Sequence, residues 1–388
     1  MRKKIAILGS TGSIGKTTLE VIKRDKKNFE IVLLTANNNY KKLIQQAKEF
    51  NARNVLIKNE IFFNKIKNAL KKHKTKVYCG NKSLGSIVKK KLDYTMAAIV
   101  GIAGLKSTIE CIKISKNVAI ANKESIICGW DLINKSIKKY KTNILPVDSE
   151  HFSIMELSKN SKDSEISEII ITASGGPFLK TPIRKLKYAK PHEAIRHPNW
   201  KMGKKISIDS ASLMNKVFEL IEATKLFKFN HKKYKILIHP QSYVHSIICF
   251  KNGLTKMILH NPDMKIPISN IINGYDKKYF NVKKINTKTL NKLNFYEVDK
   301  KRFPSVNLIS KCLNAGSLAA TILNASNEEL VSMYLKKKLK FTDIVKNLHK
   351  ILKHKDFVKY AKKRAKNIKD IYMIDKWARL KIRSMSVR

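Results

Sequence analysis

Ile5-Ala-Ile-Leu8, Gly9-Ser-Thr-Gly12-Ser-Ile-Gly15 and Lys16–Lys23 read, in that order, as a strand, a glycine turn and a helix. Strand before and helix after are the context in which Gly-x-x-Gly-x-x-Gly spacing carries meaning. There the glycines let backbone approach a pyrophosphate at a helix N-terminus, where unpaired N–H groups and the helix dipole favour an anion. The same stretch bears on the start of the chain. Met1-Arg-Lys-Lys4 imitates a signal-peptide n-region, but the apolar run Ile5–Leu8 stops at Gly9, too short for an h-region. A first strand and no secretion signal are expected.

Working outward, Phe29–Thr35 is a second strand, followed by Ala36-Asn-Asn-Asn39 with no acid to hold a ribose 2′-hydroxyl. The missing acid argues against NAD and for NADP. Lys41–Phe50 reads as a helix and Asn54–Ile57 as a third strand. Thr95–Val100, Gly101-Ile-Ala-Gly104, a helix from Leu105 and Val118–Ala121 continue the alternation. Strands alternating with helices predict a parallel, doubly wound sheet.

At 388 residues and 43% hydrophobic content the chain is long enough for two or three domains with a sizeable core. No apolar run approaches the roughly 18 residues of a membrane helix, so no membrane partner is expected. Five scattered cysteines, never in Cys-x-x-Cys spacing, suggest reduced, non-metal thiols and a cytoplasmic location. Lys and Arg number 80 against 29 Asp and Glu, a formal charge of +51. Nucleic acid or an anionic membrane is one reading of that charge. The lysines, however, run along the whole chain beside abundant Asn and Ile. Compositional drift with non-specific polyanion binding is the reading favoured.

Chemistry gathers at successive strand ends. Asn122-Lys123-Glu124-Ser125 follows one strand at its carboxyl end, where open α/β sheets bind ligands. Ile144–Val147 delivers Asp148-Ser149-Glu150 to the same edge. In extended backbone an Asp-x-Glu pair puts both carboxylates on one side, a hard donor set suited to Mg²⁺ or Mn²⁺. Ile166–Thr172 ends in Ala173-Ser174-Gly175-Gly176-Pro177-Phe178, whose hydroxyl and N–H groups form an anion cradle. Arg196-His-Pro-Asn-Trp200-Lys-Met-Gly203 sets an exposed Trp on a loop, as in a water-excluding lid. Ile206–Asp209 reads as a strand leading into a helix from Ser210. On that helix Asn215 and Glu219 share a face at i,i+4. Ser210, Asn215 and Lys216 could hold a phosphate, and Glu219 could add a third metal carboxylate.

Ile236–His239, Tyr243–Phe250 and Lys256–His260 read as strands of a sheet usable for dimerisation, with His239 and His245 packed in it rather than binding metal. From Ser305 the pattern is helical: Val306–Ala315, Ala319–Asn324, Asn327–Lys337, Thr342–His349 and Phe357–Arg383, with Asn324-Ala-Ser-Asn-Glu328 as a helix junction. The expected architecture is α/β. A doubly wound Rossmann-like parallel sheet at residues 1–149 leads to a central α+β catalytic domain with a flap at 150–273. A connector follows at 274–305 and a C-terminal helical domain at 306–388.

The ordered set of motifs resembles the 1-deoxy-D-xylulose 5-phosphate reductoisomerase family nearly end to end. It rests on Gly-Ser-Thr-Gly-Ser-Ile-Gly at 9–15, Ala-Asn-Lys-Glu at 121–124, Val-Asp-Ser-Glu-His at 147–151 and Ala-Ser-Gly-Gly-Pro-Phe at 173–178. It continues through His-Pro-Asn-Trp-Lys-Met-Gly at 197–203, Asp-Ser-Ala-Ser-Leu-Met-Asn-Lys at 209–216 with Glu219, and His-Pro-Gln-Ser at 239–242. The resemblance implies NADPH held by Thr11, Gly12, Ser13 and Ile14 with Asn37, Asn38, Asn39, Asn122, Glu124 and Gly203. It implies a divalent metal (Mg²⁺, Mn²⁺ or Co²⁺) on Asp148, Glu150 and Glu219. It implies a sugar-phosphate substrate held by Lys123, Ser149, Ser174, His197, Ser210, Asn215 and Lys216, as well as by the metal ligands Glu150 and Glu219. Lys123 and His197 join the three carboxylates as catalytic residues. Trp200 would ride on the flap and Met264 would line the nicotinamide pocket. A homodimer is implied by resemblance alone.

The implied reaction is a metal-assisted rearrangement by retro-aldol cleavage and re-addition. Hydride reduction by NADPH then gives 2-C-methyl-D-erythritol 4-phosphate, an isoprenoid precursor. Two local departures stand out. The family's Gly-Lys-Asn appears as Asn37-Asn38-Asn39, removing a lysine expected near the 2′-phosphate and leaving Lys41 or Lys42 as its candidate substitutes. The family's Gly-Leu before the metal glutamate appears as Val217-Phe218. The rival readings are another NADP-dependent sugar-phosphate dehydrogenase, or a basic nucleic-acid-binding protein on a degenerate Rossmann scaffold.

Overall fold

The computed structural model describes residues 2–200, 202–274 and 284–386. Lys201 of the expected flap and 275–283 of the expected connector therefore lie outside the described residues. The chain forms two compact units, one of residues 1–125, 132–152 and 264–281, the other of 126–131, 153–263 and 282–388.

The first unit is built on a seven-stranded sheet. Its strands are β1 (Lys3–Leu8), β2 (Phe29–Ala36), β3 (Asn54–Ile57), β4 (Lys76–Cys79), β5 (Leu92–Ala97), β6 (Ser115–Ile120) and β7 (Asn143–Pro146). Their order is β4-β3-β2-β1-β5-β6-β7, and every pairing is parallel. The order reverses between β1 and β5, the switch point where such sheets bind ligands. Ile5, Ala6 and Ile7 are fully buried because a parallel sheet is covered on both faces. The strand expected at Thr95–Val100 instead runs Leu92–Ala97. β4 was not foreseen, since Lys76-Val-Tyr-Cys79 is short, polar and half-buried, as edge strands tend to be. The helix Lys265–Asn273, with Met264 at its start, packs on the helix Ser13–Lys23, and Lys265 pairs with Glu20 at 3.1 Å.

The second unit holds a mixed five-stranded sheet of β8 (Ile166–Ala173), β9 (Tyr234–Ile238), β10 (Val244–Phe250), β11 (Thr255–Leu259) and β12 (Tyr296–Glu297). The order is β11-β10-β8-β9-β12, with β8–β9 parallel and the other pairs antiparallel. Around it lie the helices Leu308–Ala315, Ala319–Leu335, Phe341–Ile351, Lys355–Ala361 and Ile368–Ser386.

Three local expectations are corrected. Ile206–Asp209 lies in a helix, Lys204–Ala211, whose buried residues include Ser207, Ile208 and Asp209; four residues are too short a run to fix a period of two. Asn324–Glu328 is no junction but the middle of the unbroken helix Ala319–Leu335, whose asparagines are fully buried. Phe357–Arg383 is two helices, parted between Ala361 and Ile368. Buried and half-buried polar groups on Ala319–Leu335 need partners. Several have them: Glu328 pairs with Arg379, Arg383 Nε meets Glu329 Oε1 at 2.6 Å, and Thr321 donates to the Cys128 carbonyl.

Candidate active site

In the first unit the glycine turn is shaped for close backbone approach. Gly9 has φ +75°, which favours glycine, and a Cβ on Gly15 would fall on Gly9 O and Ser10 Cα, well inside contact distance. Gly12 caps the helix Ser13–Lys23 with no side-chain hydrogen bond and no acid in the first turn. Gly12 and Ser13 are exposed, Thr11 and Ile14 half-buried. The helix start therefore carries no side-chain cap, which leaves a fitting cradle for a pyrophosphate.

Asn37, Asn38 and Asn39 are exposed at the carboxyl end of β2. Asn39 caps the helix Tyr40–Phe50 by accepting from Lys42 N at 3.2 Å, and Asn38 Oδ1 accepts from Asn59 Nδ2 at 3.0 Å. The Lys42 ammonium is turned to Gln45 at 2.9 Å.

At the ends of β6 and β7 the polar residues organise one another. Asn122, 3% exposed, caps the helix Lys123–Tyr140 by accepting from Ser125 N at 2.6 Å, while its Nδ2 donates to the Gly101 carbonyl at 2.8 Å. One side chain thus fixes both the start of that helix and the loop after β5. Asp148 is not part of an extended Asp-x-Glu pair. It caps the helix Ser149–Leu157, accepting from Glu150 N at 3.2 Å, and Glu150 stands in the first turn. A carboxylate at that place is favoured by the helix dipole. Lys123 Nζ lies 3.4 Å from Asp148 Oδ2, and the Ser149 hydroxyl donates to Glu150 Oε2 at 2.6 Å. His151, wholly buried, sets Nδ1 3.2 Å from Asp148 Oδ1. No role was assigned to it from sequence, though it closes the 147–151 motif.

In the second unit Ser174, His197 and the backbone form a hydrogen-bonded chain. His197 Nδ1 faces two backbone donors, Asn199 N at 3.2 Å and Trp200 N at 3.0 Å. Burial, with the Lys216 charge adding to it, pushes the His197 pKa down to about 4, so the ring is neutral at pH 7. A neutral ring that accepts at Nδ1 carries its proton on Nε2. Nε2–H therefore donates to Ser174 Oγ at 2.8 Å, and Gly176 N–H donates to the same oxygen at 3.1 Å. With its oxygen so occupied, Ser174 keeps its own O–H to donate elsewhere. Both nitrogens of His197 are used in orienting others.

The neighbouring turn carries Ser210, Asn215, Lys216 and Glu219. Gly176 has φ +67°, and a Cβ there would lie 2.8 Å from Ala211 Cα and from Ser210 O, so only glycine lets the Ser174 loop sit on this turn. Leu213 has φ +60°, a left-handed conformation costing an L-residue about 1–2 kcal/mol. It separates the helices Lys204–Ala211 and Met214–Leu226. On the second, Asn215 Nδ2 donates to Glu219 Oε1 and Lys216 Nζ pairs with Glu219 Oε2; Glu219 is 2% exposed. Val217 and Phe218 are fully buried in the core side of that helix. Gly203 caps the helix Lys204–Ala211 with no side-chain bond, leaving its first N–H groups without a side-chain cap.

Trp200 is half-buried rather than exposed, edge-on to His245 with ring centroids 6.1 Å apart. Asn199 ties its loop down, donating to Pro240 O at 2.6 Å and Ser242 Oγ at 2.9 Å. That tether was not foreseen; its signal was the His-Pro-Gln-Ser turn itself. His239 and His245 are buried, as expected: His239 Nε2 accepts from Tyr243 N at 3.1 Å, and His245 Nε2 lies 3.2 Å from His260 O.

Three family models match in succession: 1-deoxy-D-xylulose 5-phosphate reductoisomerase at residues 5–129 and two C-terminal domains of the same enzyme at 144–227 and 259–381. The chain belongs to the 1-deoxy-D-xylulose 5-phosphate reductoisomerase family. Among its relatives, the enzyme of Pelagibacter ubique is 49% identical over 387 residues, covering 99% of this chain and all of the relative. The solved reductoisomerase of Zymomonas mobilis in complex with NADPH superposes with a TM-score of 0.91 at 35% identity, covering 100% of this chain and 99% of that one. A reductoisomerase structure holding NADPH, fosmidomycin and magnesium gives a TM-score of 0.92 at 32% identity, covering 99% and 98%.

Proposed function

We propose that this chain converts 1-deoxy-D-xylulose 5-phosphate to 2-C-methyl-D-erythritol 4-phosphate, using NADPH and a divalent cation, in isoprenoid precursor biosynthesis. The end-to-end match to reductoisomerases, two of them solved with NADPH and one of those with magnesium also, carries this reading. Neither a simple dehydrogenase nor a nucleic-acid-binding protein accounts for all three matched segments.

The donor chemistry fits the groups implied. Asp148, Glu150 and Glu219 offer carboxylate oxygens, the set that Mg²⁺ or Mn²⁺ takes. The glycine turn, with the uncapped start of the helix Ser13–Lys23, suits the cofactor's pyrophosphate, with Asn122, Glu124 and Gly203 beside it in function and Met264 at the nicotinamide. Bound there, the cation would polarise the substrate's oxygens and NADPH would supply hydride.

The chain's own residues bind and orient. Ser174 donates its O–H, Ser210 and Asn215 donate in turn, and Lys216 supplies positive charge, together gripping the substrate phosphate. His197 acts through Ser174, holding that hydroxyl's proton outward. Lys123 neutralises Asp148 and steers the sugar backbone together with Ser149. The Trp200 loop excludes water as it closes, driven by phosphate binding remote from the bond changes. Functionally, we assign 1–149 to the cofactor, 150–273 to catalysis, 274–305 to a connector and 306–388 to a helical domain.

The cytoplasm is the proposed location; no helix among the described residues is long and apolar enough to cross a membrane. A homodimer is supported by β11, an open sheet edge beside Leu254 and Met257, which are 59% and 44% exposed. The deciding experiment follows NADPH absorbance with 1-deoxy-D-xylulose 5-phosphate, with and without Mg²⁺ or Mn²⁺. Metal-dependent oxidation yielding the branched polyol phosphate is expected; folded protein with no oxidation by either nicotinamide would overturn the reading.

A further inference from the structure

We infer that Asn327, far along the chain in the helical region, is a positioning residue for the phosphate-gripping turn Ser210–Lys216 and acts through Asp209. This rests on the reading above that the turn holds a phosphate.

Asn327 Nδ2 donates to Asp209 Oδ1 at 2.7 Å, and both residues are buried, 0% and 1% exposed. The other carboxylate oxygen of Asp209 takes Lys205 Nζ at 2.8 Å. A buried carboxylate is costly unless donors surround it, so this one locks the helix Lys204–Ala211 to the helix Ala319–Leu335. Asp209 immediately precedes Ser210. The turn that follows is held in the left-handed conformation of Leu213, which persists only where its surroundings over-determine it. A second brace comes from the same direction in sequence: Ser305 Oγ, fully buried, donates to Ser212 O at 2.7 Å. Asn327 and Ser305 thus hold the two ends of Asp209–Ser212, the segment that aims the Ser210 hydroxyl and sets the start of the Asn215–Lys216 helix. The polar tract Asn324-Ala-Ser-Asn-Glu328 in a helix buried on all sides is explained in part by this task.

The test uses the full chain and calorimetric binding of inorganic phosphate and, separately, of NADPH, alongside steady-state kinetics. Asn327→Ala should weaken phosphate binding about tenfold, the scale of one buried hydrogen bond to a charged group, and raise the substrate KM in step. NADPH affinity should stay within about twofold of wild type, since one lost bond is local. The exchange Asp209→Asn with Asn327→Asp, which remakes the bond with donor and acceptor reversed, should recover most of the loss. Should Asn327→Ala not fold, Ser305→Ala removes the second brace and should move phosphate affinity alone, by about threefold.

Unchanged phosphate affinity in these variants would overturn the inference. So would parallel loss of phosphate and NADPH binding, which marks a merely structural role, or no phosphate binding by wild type. Wild-type protein that binds phosphate in this Asn327-dependent way yet reduces no substrate would sustain the inference and overturn the reaction assigned.

Discussion

Replacing His197 by Gln tests the hydrogen-bond chain that aims Ser174. The folded protein holds His197 at a pKa of about 4, from an ordinary value of 6.5, through burial and then the Lys216 charge. A folded pKa below the unfolded one means that the unfolded chain binds the extra proton first as pH falls. The stability this group contributes is whole above about pH 6.5 and is lost as pH drops toward 4. At pH 5 the unfolded imidazole is almost fully charged and the folded one almost neutral, which amounts to about 2 kcal/mol relative to pH 8. His239, His260 and His349 also have lowered pKa values, chiefly from burial, and add their own acid sensitivity. The assay is therefore a difference: urea unfolding of wild type and His197→Gln at pH 8 and pH 5. Wild type should lose about 2 kcal/mol more than the variant over that interval. In kinetics the variant should raise the substrate KM about five- to tenfold, the scale of one misdirected hydrogen bond, with the wild-type KM free of any His197 titration between pH 6 and 8. Equal acid losses in the two proteins would refute the neutral-ring argument, and with it the orientation deduced for the Ser174 proton.

Glu219→Gln should lower turnover at least about tenfold to a hundredfold and raise the metal concentration needed for half activity; an unchanged metal titration would remove Glu219 from the cation. Asn38→Lys introduces the cation that the resemblance leads one to expect at this place and should lower the NADPH KM about fivefold, an exposed charge contributing at most about 1 kcal/mol, with the NADH KM unmoved. Gly15→Ala forces a methyl onto Gly9 O and Ser10 Cα, destabilising by about 1–3 kcal/mol and abolishing NADPH binding at concentrations that saturate wild type. The +51 charge should give nucleic-acid binding that collapses between low and moderate salt; selective binding that survives would revive the rival reading in gel-shift assays.

The parallel sheet is legible in the sequence, because Ile5–Leu8, Phe29–Thr35 and Val118–Ala121 are largely apolar runs followed closely by Gly or Asn, and strand-turn-helix repetition leaves few topologies. The sequence also determined the family, because seven short motifs in one order admit one match. It misread Ile206–Asp209 as a strand, since four residues are too few to fix a period and only the packing around Ile208, fully buried in a helix, decides the matter. It misread Asn324–Glu328 as a break, since asparagines discourage a helix until a tertiary partner takes up their amides. Asp148 as a helix cap rather than half of an extended pair turns on where β7 ends. The His197–Ser174 bond, the Gly176 contact with Ser210 and the Asn327–Asp209 bond join residues 23 or more positions apart. No local pattern encodes such meetings; they exist only once the fold has set burial and distance.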